Sequence, residues 1–213
     1  MSIAHHPGEE LLFSYASGAA NEAVALLVAT HIALCPACLA VVRDAEAAGG
    51  TVLSQVAPVA LGQNAYQSIL ARLDAPSAAI VRSANLASPV PAPLQPYIGT
   101  DYDAVPWRNI VEGLSTYPLV TKDGTRARLI RAAPGAGVAV HSHRGEEWTL
   151  VLTGSFSDVT GQYGAGDVQS TTSEIEHQPN ADPGPVCINL AVTDAPLIFK
   201  GLIPKIVGKV FGF

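Results

Sequence analysis

Two groups of side chains in this sequence have the types and spacing to hold a metal ion. The first is His31-Ile32-Ala33-Leu34-Cys35-Pro36-Ala37-Cys38, an imidazole and two thiols that can all point at one centre. On a helix His31 and Cys35 share a face, and Cys38 follows one turn further on. Pro36 has no N–H and a preset φ, so it suits the first position of a new helix and makes Cys35 the hinge between two helices. A tetrahedral zinc ion takes such donors and needs a fourth. His5 and His6 are the histidines nearby in sequence, and one of them is expected to close the site. A Cys-x-x-Cys pair alone would read equally well as a redox dithiol or an idle pair of thiols. The histidine in register is what favours zinc.

The second group is Gly135-x5-His141-x-His143-x3-Glu147-x6-Gly154. Residues two apart on a strand point the same way, so His141 and His143 share a face, and Glu147 follows after a short turn. His177, the last histidine of the chain, stands where a returning strand can bring it alongside. Three imidazoles and a carboxylate make a metal site, whereas His177 by itself would be an ordinary core or surface residue. Glu146 competes with Glu147 for the carboxylate role. Cys187 lies in an apolar run, Val186 to Val192, where a cysteine is most often a small core hydrophobe. A redox-sensing thiol near the second metal is the sharper alternative.

The elements that must position these groups differ between the two halves. Residues 9 to 85 are rich in Ala and Leu and read as four helices: Glu9 to Ser17, a second capped by Asn21, a third from Pro36 to about Ala48 ended by Gly49-Gly50, and a fourth from Gln63 to Asp74. The fourth carries an apolar stripe of Tyr66, Ile69, Leu70 and Leu73. The stretch from Ser83 to Pro96 is rich in Pro, Ser and Ala and reads as an extended linker. Beyond it, short β-type runs such as Ala127 to Arg131, Trp148 to Leu152 and Val186 to Val192 alternate with turn residues, as in a barrel or jelly roll. The expected organisation is therefore multidomain α plus β. A four-helix zinc-binding bundle occupies 1–85, a linker 86–97, and a β-barrel or jelly roll 98–213, with few contacts between the halves. A terminal strand or helix is the commoner use of the mixed apolar and lysine tail from Lys200 to Phe213 than a membrane-surface peptide.

Composition excludes several classes. The formal charge of −6 and a pI near 5.4, with no basic cluster among aromatics, argue against direct nucleic-acid binding. The stretch Met1 to Glu10 lacks the positive start and apolar core expected of a signal peptide, and no later apolar run is long enough for a membrane helix. Three cysteines, two in a metal-type motif, do not make a secreted disulfide framework. A soluble cytoplasmic protein is expected.

Glu10-Leu11-Leu12 and Tyr15-Ala16-x-Gly18, followed by a helix and His31-x3-Cys35-x2-Cys38, resemble the zinc-binding anti-sigma domain of bacterial transcription regulators. The resemblance implies zinc on His31, Cys35, Cys38 and either His6 or His5, and a fourth helix that clasps a sigma factor through Tyr66, Ile69 and Leu73. The spacing of the second group resembles the first motif of the cupin barrels, and Tyr163-Gly164-Ala165-Gly166-Asp167 with His177 resembles their second. The cupins' usual Pro-x-Gly before that last histidine is missing, and Ser173-Glu174-Ile175-Glu176 stands there instead. The order of the two motifs is that of the ChrR-type anti-sigma factors. That resemblance implies a cytoplasmic protein without enzymatic activity that holds an extracytoplasmic-function sigma factor in a one-to-one complex and keeps it from core RNA polymerase. It also implies release on oxidative stress, from singlet oxygen or organic hydroperoxides, through the cupin half, with a zinc ion in each half. The competing class is a cupin metalloenzyme of the dioxygenase or isomerase type with an accessory helical domain.

Overall fold

The structure, a computed structural model, describes residues 3–73, 85–122 and 125–200. The expected boundary just beyond Arg82 and all but the first residue of the tail from Lys200 lie outside the described residues.

Three helices of the first half pack together. Helix α1 (Glu9–Ala16) has both its carboxylates in the first turn, where the helix dipole favours them. Helix α2 (Glu22–Ile32) is capped as expected, the Asn21 side chain accepting from the Val24 N–H at 2.9 Å. Helix α3 (Pro36–Ser54) opens on Pro36 and runs straight through Gly49-Gly50. Glycine inside a helix costs only about 1 kcal/mol against alanine, and both residues are exposed, with no neighbouring group within 4 Å of where a β-carbon would stand to force a turn. Helix α4 (Ala65–Leu73) has no buried residue. The bundle is therefore one of three helices, and the fourth stands with its apolar stripe unfilled.

The second half is a pair of facing antiparallel layers. One is a six-stranded sheet whose strands lie, from edge to edge, in the order β1 (Arg108–Val111), β2 (Leu114–Leu119), β3 (Arg126–Ala132), β10 (Cys187–Thr193), β5 (Glu147–Thr153) and β8 (Val168–Thr171). The other layer has β11 (Leu197–Phe199) beside β4 (His141–His143), and β7 (Gly161–Gly164), β6 (Ser155–Asp158) and β9 (Asn180–Ala181) in that order. Bridges at Gly137↔Asn180 and His141↔His177 stitch the two parts of this layer together. The ladders do not run round into a closed barrel. Gly154, the last glycine of the first β motif, has φ +68, and a β-carbon there would lie 2.8 Å from the Val186 carbonyl oxygen, so the tight β5 to β6 turn requires it.

The central strands of the six-stranded sheet, β3, β10 and β5, are buried on both faces, while the edge strand β1 is largely exposed. On β10, Ile188, Leu190 and Val192 belong to one core cluster and Cys187 and Ala191 to another. That explains why this strand reads as a continuous apolar run instead of alternating. The first cluster also contains Leu12, Val24, Leu27 and Val28 of the helices, so the helical half and the outer face of the sheet share one core. Residues 86–97, expected to be an extended linker, take part in it. A 3-10 turn (Ala92–Leu94) runs into α5 (Gln95–Ile98), and Val90 and Leu94 are buried against the helices and sheet. Polar ties cross the same seam: Glu22 accepts from the Tyr97 hydroxyl at 2.7 Å and from the Lys122 N–H, and the Ala23 N–H donates to Thr125 Oγ1 at 3.1 Å.

Two candidate metal centres

The first centre forms where α2 ends and α3 begins. His31 reaches it from the last turn of α2, Cys35 sits in extended conformation between the helices, and Cys38 lies in the first turn of α3. The fourth donor comes from the N-terminal arm. His6 Nδ1 is 3.5 Å from Cys35 Sγ and 3.3 Å from Cys38 Sγ, whereas His5 turns away and packs its ring 4.6 Å from that of Tyr163. The group His6, His31, Cys35 and Cys38 has all its donor atoms within 4.8 Å of one another. His31 is fully buried, its Nδ1–H donates to the Gly166 carbonyl at 2.9 Å, and its Nε2 faces the cluster with no hydrogen-bond partner. An orphaned buried nitrogen aimed at two thiols is what a tetrahedral N2S2 site presents to its ion, so the residues fit zinc.

The protonation states favour the same reading. Burial holds the His31 pKa below its ordinary value, helped by His6 and opposed by the Gly166 hydrogen bond, so the imidazole offers a lone pair at neutral pH. Burial, with Cys35 alongside, pushes the metal-free Cys38 thiol up to about 12. A ligand must be a thiolate, so binding has to expel that proton. Below that pKa, Cys38 alone should make apparent zinc affinity rise about tenfold per pH unit, and fall equally as the pH drops. Competition titrations with a chromophoric chelator between pH 6 and 8 check this. A pH-independent affinity would mean that Cys38 is not a ligand.

The second centre lies between the two layers. Antiparallel bonds in both directions, His141 N–H to His177 carbonyl at 3.1 Å and the reverse at 3.0 Å, bring His177 beside β4 without the missing Pro-x-Gly turn. His177 Nε2 is 3.1 Å from His141 Nε2 and 3.0 Å from His143 Nε2. Glu147 Oε2, at the start of β5, lies 3.9, 3.7 and 3.8 Å from the Nε2 atoms of His141, His143 and His177. A tetrahedron with metal–ligand bonds of about 2.0–2.1 Å has edges of about 3.4 Å, which those separations bracket. All four residues are buried, while Glu146 is exposed and is tied to Asp194 through its backbone, its N–H donating to Asp194 Oδ1 at 2.8 Å and its carbonyl accepting from the Asp194 N–H at 3.3 Å.

Outer partners hold these rings in place. His141 Nδ1–H donates to the Ala139 carbonyl at 2.9 Å, and His177 Nδ1–H to Asp158 Oδ2 at 2.6 Å, which leaves each Nε2 free to ligate. Thr171 Oγ1 stands 3.3 Å from His143 Nε2. Burial lowers the His143 pKa, which Glu147 partly offsets. Burial alone would raise the Glu147 carboxyl, and the surrounding imidazoles more than reverse it, leaving the group ionised. No spacing in the sequence points to Asp158, because its bond to His177 joins residues 19 apart, with β7 and β8 between them. Cys187 is fully buried and lines, with His141 and Glu147, a cavity of about 40 Å³. Burial pushes its thiol up to about 11, the protonated and less nucleophilic form at neutral pH.

Tyr66, Ile69 and Leu73 are 67, 55 and 73 % exposed along α4 and belong to neither donor group. Among the described residues, no helix is long and apolar enough to cross a membrane.

A jelly roll carrying His-x-His-x3-Glu and a returning histidine on its inner face is a cupin, and residues 96–195 match the family described as the ChrR cupin-like domain. The likeness extends beyond that half. The anti-sigma-E factor ChrR of Cereibacter sphaeroides is 41 % identical over 211 residues, 99 % of this chain and 99 % of that one. The crystal structure of Rhodobacter sphaeroides SigE in complex with the anti-sigma ChrR matches with a TM-score of 0.81 and 40 % identity, over 91 % of this chain and 100 % of that one. The chain belongs to the ChrR family of anti-sigma factors, and its role is accordingly regulatory and not enzymatic.

Proposed function

We propose that this protein binds an extracytoplasmic-function sigma factor one to one in the cytoplasm, blocks its access to core RNA polymerase, and releases it under oxidative stress through the cupin half. The observation that carries the reading is the 41 % identity to an anti-sigma factor along the whole chain, helices and cupin together. The metal in each centre is zinc: N2S2 in the helical half, three imidazoles and a carboxylate in the cupin. Function divides along the chain, sigma binding in residues 1–85 and the response to singlet oxygen or organic hydroperoxide in 98–213, even though the two halves share a core. Neither nucleic acid nor membrane is a direct partner. The dioxygenase or isomerase alternative has no comparable support, since four protein ligands favour a closed centre and the cupin fold alone does not imply chemistry.

The docking element is α4. Its Tyr66, Ile69 and Leu73 are apolar, exposed and on one stripe of a helix without buried residues, so the partner supplies packing that the described residues of this chain do not. Co-expression with a cognate sigma factor, followed by gel filtration, should give a stoichiometric complex. In the full chain, Ile69→Asp with Leu73→Asp should weaken that complex about 30-fold or more, the effect of losing a central apolar anchor, with folding and metal content unchanged. An undiminished complex would move the docking surface elsewhere.

A further inference from the structure

The helical metal centre is not built by the helical half alone. The arm that carries His6 is fastened to the cupin at Asp167, whose carboxylate accepts from the Ala4 N–H at 2.7 Å, the His5 N–H at 3.0 Å and the Gly164 N–H at 2.9 Å. The His5 ring nitrogen Nδ1 lies 3.4 Å from the other side of this carboxylate. The Val168 N–H then donates to the His5 carbonyl at 3.0 Å, so the arm lies along the outer edge of β8, the end strand of the six-stranded sheet. One residue before Asp167, the Gly166 carbonyl holds His31. Gly166 has φ +96, and a β-carbon there would come within 2.6 Å of the Ile3 side chain, which packs over it. Two of the four ligands of the helical centre are thus oriented by consecutive residues of the cupin.

We propose that Asp167 is a positioning residue for the helical metal centre, fixing the His6 arm on the cupin edge so that this centre retains its ion only while the arm is latched. The inference rests on the reading of His6, His31, Cys35 and Cys38 as a metal site. Outer partners of metal ligands set affinity through orientation, and here the orientation of His6 depends on a short arm with no secondary structure of its own. Unlatching the arm leaves three donors and an opened coordination position. The consequence is that a change at the cupin edge reaches the sigma-binding half through a ligand, without unfolding either half.

Cobalt(II) reports on this centre selectively, because thiolate-to-cobalt charge transfer can arise only at the centre that contains Cys35 and Cys38. The full chain loaded with cobalt is challenged with excess chelator and the decay of that band is followed. Asp167→Ala is expected to lose the band 10–100-fold faster than the parent. Asp167→Asn, which keeps an oxygen for the Ala4 and His5 N–H groups, should stay within about threefold, a distinction that a general loosening of the cupin would not produce. Ala4→Pro removes one latch donor from the arm itself, where it cannot unfold the cupin, and should also speed release. Decay within twofold of the parent in both Asp167→Ala and Ala4→Pro, with circular dichroism unchanged, overturns the latch. Absence of a thiolate band in the parent protein overturns the metal reading beneath it.

Discussion

Replacing Cys38 with serine is expected to remove one equivalent of zinc and, with it, sigma binding. Cys38 is buried at the start of α3, 3.3 Å from His6 Nδ1, and a serine hydroxyl does not ionise to replace the thiolate. Structural zinc contributes an apparent 10–16 kcal/mol in small zinc-dependent folds, comparable to or larger than the whole stability of a typical domain. Here the loss should be local. Helix α2 is held by the sheet through Leu27 and Val28, which are fully buried in the shared core, so the cupin and α2 should keep their structure. Helix α3 buries only Cys38 and Val42 along its length and otherwise rests on α1, so a zinc ion joining Cys38 to His31 and His6 is expected to help fix its direction, and with it the placement of α4. The docking stripe is therefore lost as a placed surface. Metal analysis by mass spectrometry and a sigma pull-down on the same preparation test this. Full zinc with undiminished binding in Cys38→Ser would remove the helical centre from the mechanism.

The two centres differ in how far the chain alone reveals them. His31, Cys35 and Cys38 lie within one helix–hinge–helix, so spacing and Pro36 suffice to bring them together. The choice of His6 over His5 is not legible, because it is made by Asp167 of a distant strand, which takes the two arm N–H groups and leaves His6 facing the thiols. In the cupin, strand periodicity puts His141 beside His143, and the resemblance points to Glu147 and His177. Asp158 has no local signal, since its part depends on β6 pairing with β9, just after His177 in the chain.

Fold elements follow the same division between local and distant causes. The Asn21 cap and the Pro36 start rest on chemistry within a turn, and the structure keeps both. Gly49-Gly50 does not stop α3 because no competing turn geometry is imposed there. The stretch 86–97 has the composition of a linker, and two apolar residues within it, Val90 and Leu94, decide otherwise by finding a core. An apolar helix face looks the same whether it will meet another helix or a sheet. That is why the pattern implies a bundle standing apart from the cupin while the structure has one shared core.

Replacing His141 with alanine should give a protein that still inhibits and no longer responds. His141 is buried, contributes one of the four donors, and pairs through its backbone with His177. Loss of a ligand should weaken the cupin metal by more than the 10–100-fold that loss of an outer partner costs, while the backbone bridge to His177 can persist and keep the jelly roll folded. Nothing in the change touches α4, 55–73 % exposed at Ile69, Tyr66 and Leu73 on the other half, so sigma affinity should stay within about twofold. The response is a different matter. An oxidant can shift the bound equilibrium only through a species whose formation changes contact energies between the cupin, the helices and the sigma factor. The buried imidazole–carboxylate centre, which shares its cavity with Cys187, is where such a change of charge or packing can begin. Without the metal that step is missing, and a transcription reporter for the sigma factor should remain at its uninduced level when cells carrying His141→Ala are given singlet oxygen or an organic hydroperoxide. Normal induction in that strain, with metal analysis showing the cupin centre empty, would reject the metal as sensor and pass the role to the Cys187 thiol, to be tested next as Cys187→Ala in the same reporter.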